Sequence, residues 1–167
     1  MLFRSPLVPL VEGGGHERGL RAGTQDVAGA VALATALTVT DANRVEETAR
    51  IAALRDRLEA GLAAAIPDLE ANGDPERRVA GLLHVVVPGV EAEMLLVALD
   101  RAGIEAAAGS ACSSGAVDPS HVLTAMGLSR ARALASVRFS LGWASTDADV
   151  DAALTVVPAV VERLRAA

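Results

Sequence analysis

The sequence has no lysine: all 15 of its basic residues are arginine. A genome biased toward arginine codons is the expected cause. The chemical consequence is that nothing except the α-amino terminus can form a Schiff base with an aldehyde. There is one cysteine, so an internal disulfide is excluded and no oxidising compartment is indicated. Tyrosine is absent and aromatics make up 2% of the chain, yet 51% is apolar, carried by Ala, Val and Leu. That balance excludes a disordered chain and favours a helix-rich or α/β globular one. The net charge of −6, with basic residues scattered, leaves no footprint for nucleic acid or an anionic membrane surface. The uncharged stretch from Val27 to Thr40 falls short of the ~20 residues that cross a bilayer. Met1 to Leu10 lacks the apolar core and cleavage site of a secretory signal, so a cytoplasmic location is expected.

At 167 residues the chain has room for one domain, or for a small domain with part of another. Glu12-Gly13-Gly14-Gly15 reads as a loop, and Thr24 as the N-cap of a helix with Gln25 and Asp26 in its first turn. A second helix is expected from an Asn43/Glu46 cap pair. Ile51, Leu54, Leu58 and Leu62 lie on one face of it, Glu46 and Arg50 pair at i,i+4, and Ile66-Pro67 ends it. The polar run Asn72 to Arg78 marks entry into a smaller C-terminal unit. Leu82 to Val87, stopped by Pro88-Gly89, reads as a strand, and Ala92 to Ala102 as an amphipathic helix with Gly103 at C′. A short strand is expected at Ile104 to Ala107 and another at Val137 to Leu141. Between them Asp118, Pro119 and Gly127 frame a short helix containing His121. Thr146 and Asp149 open a C-terminal helix that Pro158 should interrupt or kink.

Three places carry candidate chemistry. Cys112 sits in Ala-Gly-Ser-Ala-Cys-Ser-Ser-Gly, residues 108–115, small residues without periodicity. A lone cysteine is most often a buried apolar filler, but such a residue is normally flanked by large apolar neighbours, whereas these flanks suit an exposed, movable thiol. Arg138, in Ser136-Val137-Arg138-Phe139-Ser140-Leu141-Gly142, points away from Val137 and Phe139 by strand alternation. It is either a solvated edge residue or a planar fork for a carboxylate. Glu17 to Thr24 combines Arg18, Arg21, two glycines and a capping hydroxyl; it is either an ordinary loop or a phosphate contact. His16, His84 and His121 have no metal-ligand spacing, so no zinc site is expected.

Taken together, Gly13 to Thr24, the Cys112 loop followed by Pro119-Ser120-His121-Val122-Leu123-Thr124-Ala125-Met126-Gly127, and Ser136 to Gly142 resemble cysteine desulfurases in that order. The likeness is to the branch with a long mobile Cys loop that serves iron–sulfur assembly and transfer-RNA thio-modification. It implies an α/β fold: the small C-terminal domain of an aminotransferase-type (fold type I) enzyme, residues 68–167, preceded by the end of the large cofactor domain, residues 1–67. It also implies pyridoxal 5'-phosphate as cofactor. Cys112 then takes sulfur from L-cysteine as a persulfide, leaving L-alanine. Arg138 clamps the substrate carboxylate, and Thr24 reaches the cofactor phosphate of a neighbouring subunit in a homodimer. The expected acceptors are an iron–sulfur scaffold or a tRNA thiolase, with Cys112 a transient iron–sulfur ligand through its persulfide and no resident metal.

Departures from the resemblance are equally specific. Members of this family carry upstream the cofactor-stacking His, the Asp facing the pyridine nitrogen and the anchoring Lys, all missing here. The chain alone is therefore expected to be inactive, working only with a Lys-bearing chain or an intact partner. A truncated gene or misplaced start is the simplest explanation. Ala80-Gly81-Leu82-Leu83-His84 also differs from the Pro-Asn-Thr-Leu-Asn usual before this strand, and His16 stands where Gln is common. The rival reading is a non-catalytic binding module, or a persulfide relay on Cys112, that pairs with an intact desulfurase.

Overall fold

The computed structural model describes residues 7–109 and 118–166. Contacts group the chain into two compact units, Met1–Asn43 and Arg44–Ala167. Leu54, Leu58, Leu62 and Ile66 all join the core of the second unit.

The first unit holds the glycine-rich loop, a 3-10 turn at Glu17–Gly19 and the opening turns of helix α1, Val27–Ala65. Ala22 is its one buried apolar residue among those described, while Val27, Val31, Leu33, Leu37 and Val39 are exposed. Asp26, not Thr24, caps α1: its Oδ1 accepts from the Gly29 N–H at 2.9 Å. The second cap expected at Asn43 does not form, because α1 passes through that position. Asn43 Nδ2 instead donates back to the Val39 carbonyl at 3.0 Å, satisfying within the helix the polar group that would have capped it.

In the second unit the remainder of α1 presents Leu54, Leu58 and Leu62 at i+4 spacing to the core. Arg50 pairs with Glu47, not Glu46, at 2.9 Å, and donates as well to the carbonyls of Trp143 and Ser145. Three antiparallel strands follow, in the order β1-β2-β3: β1 Glu70–Ala71, β2 Leu82–Val86 and β3 Ser136–Ser140. Leu83, Val85, Val137 and Phe139 face the core, where they meet α1 and the helices α2, Ala92–Asp100, and α5, Asp147–Arg165. Each side chain of this kind, fully buried, contributes about 1.5–3 kcal/mol relative to exposure.

Several local expectations hold. β2 stops before Pro88-Gly89. Gly103, at φ +80°, closes α2 as a Schellman turn, its N–H donating to Asp100 and that of Ile104 to Leu99. Thr146 and Asp149 form the reciprocal capping box of α5. Others do not hold. Ile104 to Ala107 makes only a single bridge, Ala107 to Arg138, and no strand. α5 contains Pro158 without interruption. Two short helices, α3 (His121–Ala125) and α4 (Arg130–Leu134), lie between α2 and β3; Ser120 precedes α3, and Asp118 pairs with Arg130 instead of capping it. Gly81 was not anticipated as a structural necessity, yet a Cβ there would lie 2.2 Å from the Leu141 carbonyl, whose own N–H donates to Gly81 at 2.7 Å.

Candidate active site

The face of the sheet opposite the core carries the polar residues. Arg138 is exposed between buried Val137 and Phe139, as alternation requires. Both its backbone groups bond to Ala107, N–H to carbonyl at 2.7 Å and the reverse at 3.0 Å. They therefore point away from β2, and the register pair His84–Arg138 is a non-hydrogen-bonded one. Cα atoms in such a pair lie about 4.5 Å apart, with both side chains close together on one face. On the far side of His84, the Asn72 N–H donates to its carbonyl at 2.8 Å. Asn72, His84, Arg138 and Ala107 thus form one row across the sheet.

His84 is half-buried, and its Nδ1 contacts Asn72 Nδ2 at 2.9 Å. Burial, and then the positive charge of Arg138, hold its imidazole below the ordinary histidine value. Most other arginines of this unit are engaged. Arg132 forks onto Glu70, Arg57 joins Asp147 and Asp151, Arg78 joins Glu59, and Arg55 donates to the carbonyls of Val79 and Ala80. The Arg138 guanidinium has no hydrogen-bond or ion-pair partner among the described residues. A fork held on a strand, flanked by a neutral ring and unoccupied by any carboxylate of its own, is suited to an external carboxylate.

A cavity of about 400 Å³ on the core side of the sheet, lined by Leu58, Ile104, Phe139, Leu141 and Val150 among others, is distinct from this row. Arg138 leaves the opposite face of its strand. Cys112 lies outside the described residues. Ala107, bridged to Arg138, precedes it by five positions in the sequence.

Within the first unit, Thr24 is exposed and its hydroxyl has no partner among the described residues. Its carbonyl accepts from Arg21 Nη1 at 2.9 Å, so one of the two guanidiniums available for phosphate is used inside the loop. The N-terminus of α1 is occupied by the Asp26 carboxylate, which disfavours an anion there. His16 Nδ1 contacts Gln25 Nε2 at 3.1 Å. Toward a pyridoxal phosphate these residues offer the Thr24 hydroxyl and the Arg18 guanidinium, and the chain offers no side-chain amine; the donor set does not fit covalent attachment of the cofactor. No group of three or more His, Cys, Asp or Glu side chains able to hold a metal ion occurs among the described residues. No helix among them is long and apolar enough to cross a membrane.

Sequence reasoning singled out Arg138 and Thr24 but missed Asn72 and His84 as neighbours of Arg138. The signal was present in the strand register. His84 stands in the alternate, non-core phase of β2, facing the same side as Arg138 in β3.

Comparison with known proteins places the chain in a family. The aminotransferase class-V profile matches residues 11–153. An IscS-like cysteine desulfurase of Mycobacterium tuberculosis is 50% identical over 161 residues, covering 96% of this chain and 41% of that protein. Cysteine desulfurase 2 of Trichormus variabilis is 45% identical over 158 residues, or 95% of this chain and 39% of that one. Among solved structures, a NifS-like protein superposes with a TM-score of 0.77 at 30% identity, over 96% of this chain and 40% of the other. A NifS-like protein from Rickettsia africae gives the same TM-score at 25% identity. The chain spans about two fifths of the length of the relatives it matches. With an α/β aminotransferase-like fold and cysteine desulfurases as its relatives, the chain belongs to the pyridoxal phosphate-dependent aminotransferase class-V family.

Proposed function

We propose that this chain is the C-terminal portion of a cysteine desulfurase, in which Arg138 receives the carboxylate of L-cysteine and Cys112 accepts its sulfur. The observation that carries the reading is the guanidinium of Arg138, which has no partner among the described residues, on a strand fixed by two backbone bonds to Ala107, five positions before Cys112 in the sequence. The C-terminal assignment is supported by the order of the three motifs and by the absence of any lysine. In the net reaction the Cys112 thiol and L-cysteine become a Cys112 persulfide and L-alanine: one C–S bond breaks, one S–S bond forms, and the proton count is unchanged. When bound, the cofactor supplies the electron sink for the carbon–sulfur cleavage. This chain's own share is to orient the substrate through Arg138 and to present the thiol. It does not include the amine that holds the cofactor and moves the substrate proton. The reading therefore requires a Lys-bearing part, supplied by an intact partner or a complementing chain.

We further propose that residues 1–67 are the end of the large cofactor domain and residues 68–167 the small domain. Thr24 then contacts the cofactor phosphate of a neighbouring subunit in a dimer. The sulfur acceptor is an iron–sulfur scaffold or a tRNA-thiolating protein, and the setting is the cytoplasm. The lysine-free composition favours a second reading, a non-catalytic module that pairs with an intact desulfurase or relays persulfide on Cys112.

Intact-mass analysis after exposure to a small persulfide donor tests the thiol. The parent is expected to gain sulfur and Cys112→Ala to gain none. A folded parent that never takes up sulfur would leave Cys112 as an inert filler and remove both readings of it.

A further inference from the structure

We propose that His84 is a second contact for the carboxylate that Arg138 receives, donating from Nε2–H beside the guanidinium. The proposal rests on the reading of Arg138 as a carboxylate clamp. Three observations lead to it. His84 and Arg138 are directly opposed in a non-hydrogen-bonded pair, the arrangement that brings cross-strand side chains nearest one another. Asn72 Nδ2, a donor only, lies 2.9 Å from His84 Nδ1, so Nδ1 accepts and the ring proton resides on Nε2. The ring is half-buried and the adjacent guanidinium is cationic, so the imidazole is held neutral and does not compete with Arg138 as a second positive charge.

The chemistry of the ligand follows. A carboxylate offers about four lone-pair positions, and a guanidinium fork fills two of them. A neutral N–H at the fork's side takes a third. It adds a directional requirement that a lone arginine does not impose, and so favours a planar anion. Asn72 is a positioning residue here, because it acts through the imidazole tautomer. The class of ligand is a small α-carboxylate, for which L-alanine is an unreactive probe.

The experiment is a histidine-¹⁵N NMR titration of the chain with L-alanine, with His84→Gln used to assign the His84 ring. The expected results are an Nε2–H tautomer for His84 and movement of its Nε2 resonance as alanine is added. Alanine binding should be lost in Arg138→Ala, weakened roughly fivefold in His84→Phe through loss of one neutral hydrogen bond, and largely kept in His84→Gln, which retains an N–H. A proton found on Nδ1 would overturn the proposal, and this is read in the parent without any variant. Binding that depends on Arg138 but is unchanged in His84→Phe would overturn it while leaving the clamp in place. If alanine moves no resonance of the parent, the clamp itself fails, and the proposal with it.

Discussion

The two compact units hold their candidate functional residues in different ways. In the second, Arg138 stands on a strand bonded on one side to Ala107 and paired on the other with His84, above a core that includes Leu83, Val85, Leu95 and Val137. In the first, Thr24 lies in an exposed loop held by Arg21 and by the Asp26 cap, with Ala22 its one buried apolar neighbour among the described residues. The contrast separates two sources of order. Arg138, the proposed substrate-side residue, is preorganised by the chain's own packing, whereas Thr24, the proposed cofactor-side residue, has little of this chain's burial behind it. That division fits the proposed reading, in which the cofactor chemistry is completed by a Lys-bearing part.

Core truncation should expose the contrast most sharply. Leu95 is fully buried, and Leu95→Ala should destabilise the second unit by about 2–5 kcal/mol in urea unfolding. Leu37, exposed in the first unit, should tolerate alanine within about 0.5 kcal/mol. Equal losses at the two sites would erase the distinction between the units.

Helix caps give a finer version of the same test. Thr146→Ala removes one arm of a reciprocal capping box and should cost about 1 kcal/mol of global stability. Asp26→Ala also removes a cap, but on a segment whose one buried apolar residue among those described is Ala22. It should reduce helicity locally, seen as faster amide exchange at residues 27–30, while leaving the urea midpoint unchanged.

The smallest effect concerns pH. His84 titrates below the ordinary histidine value in the folded chain, so the unfolded chain binds more protons in the window between the two values. Its contribution to stability is therefore fully present above the ordinary histidine range and is lost as pH falls through the lower, folded value. His84→Gln should flatten urea stability across that window. A variant that keeps the parent's pH dependence there would show that His84 is not the group responsible.

Much of the second unit is legible in the sequence because its signals are local and reinforce one another. Pro88-Gly89 ends a β-branched run, Gly103 supplies the positive φ of a Schellman turn, and Thr146 and Asp149 cap reciprocally. The phase of Arg138 follows from alternation alone. The failures arise where a cap-forming side chain had a rival use. Asn43 bonds back into α1, Asp26 takes the cap assigned to Thr24, and Asp118 pairs with Arg130. Asn72 and His84 escaped notice because their proximity to Arg138 is a property of strand pairing between distant segments. Gly81 escaped for the same reason, since the carbonyl that excludes its side chain comes from Leu141. Cys112, the best-supported residue by motif, lies outside the described residues, so its role rests on sequence and resemblance.

The central claim is that this chain contributes the thiol and the carboxylate clamp but not the cofactor anchor. Its most direct test is release of L-alanine from L-cysteine in the presence of pyridoxal phosphate, measured for the purified chain alone and for the chain mixed with a Lys-bearing segment matching the rest of its relatives' length. The prediction is alanine from the mixture only, lost when either Cys112→Ala or Arg138→Ala replaces the parent. Enzyme-like alanine release from the chain alone, or from the mixture irrespective of those two substitutions, would contradict it.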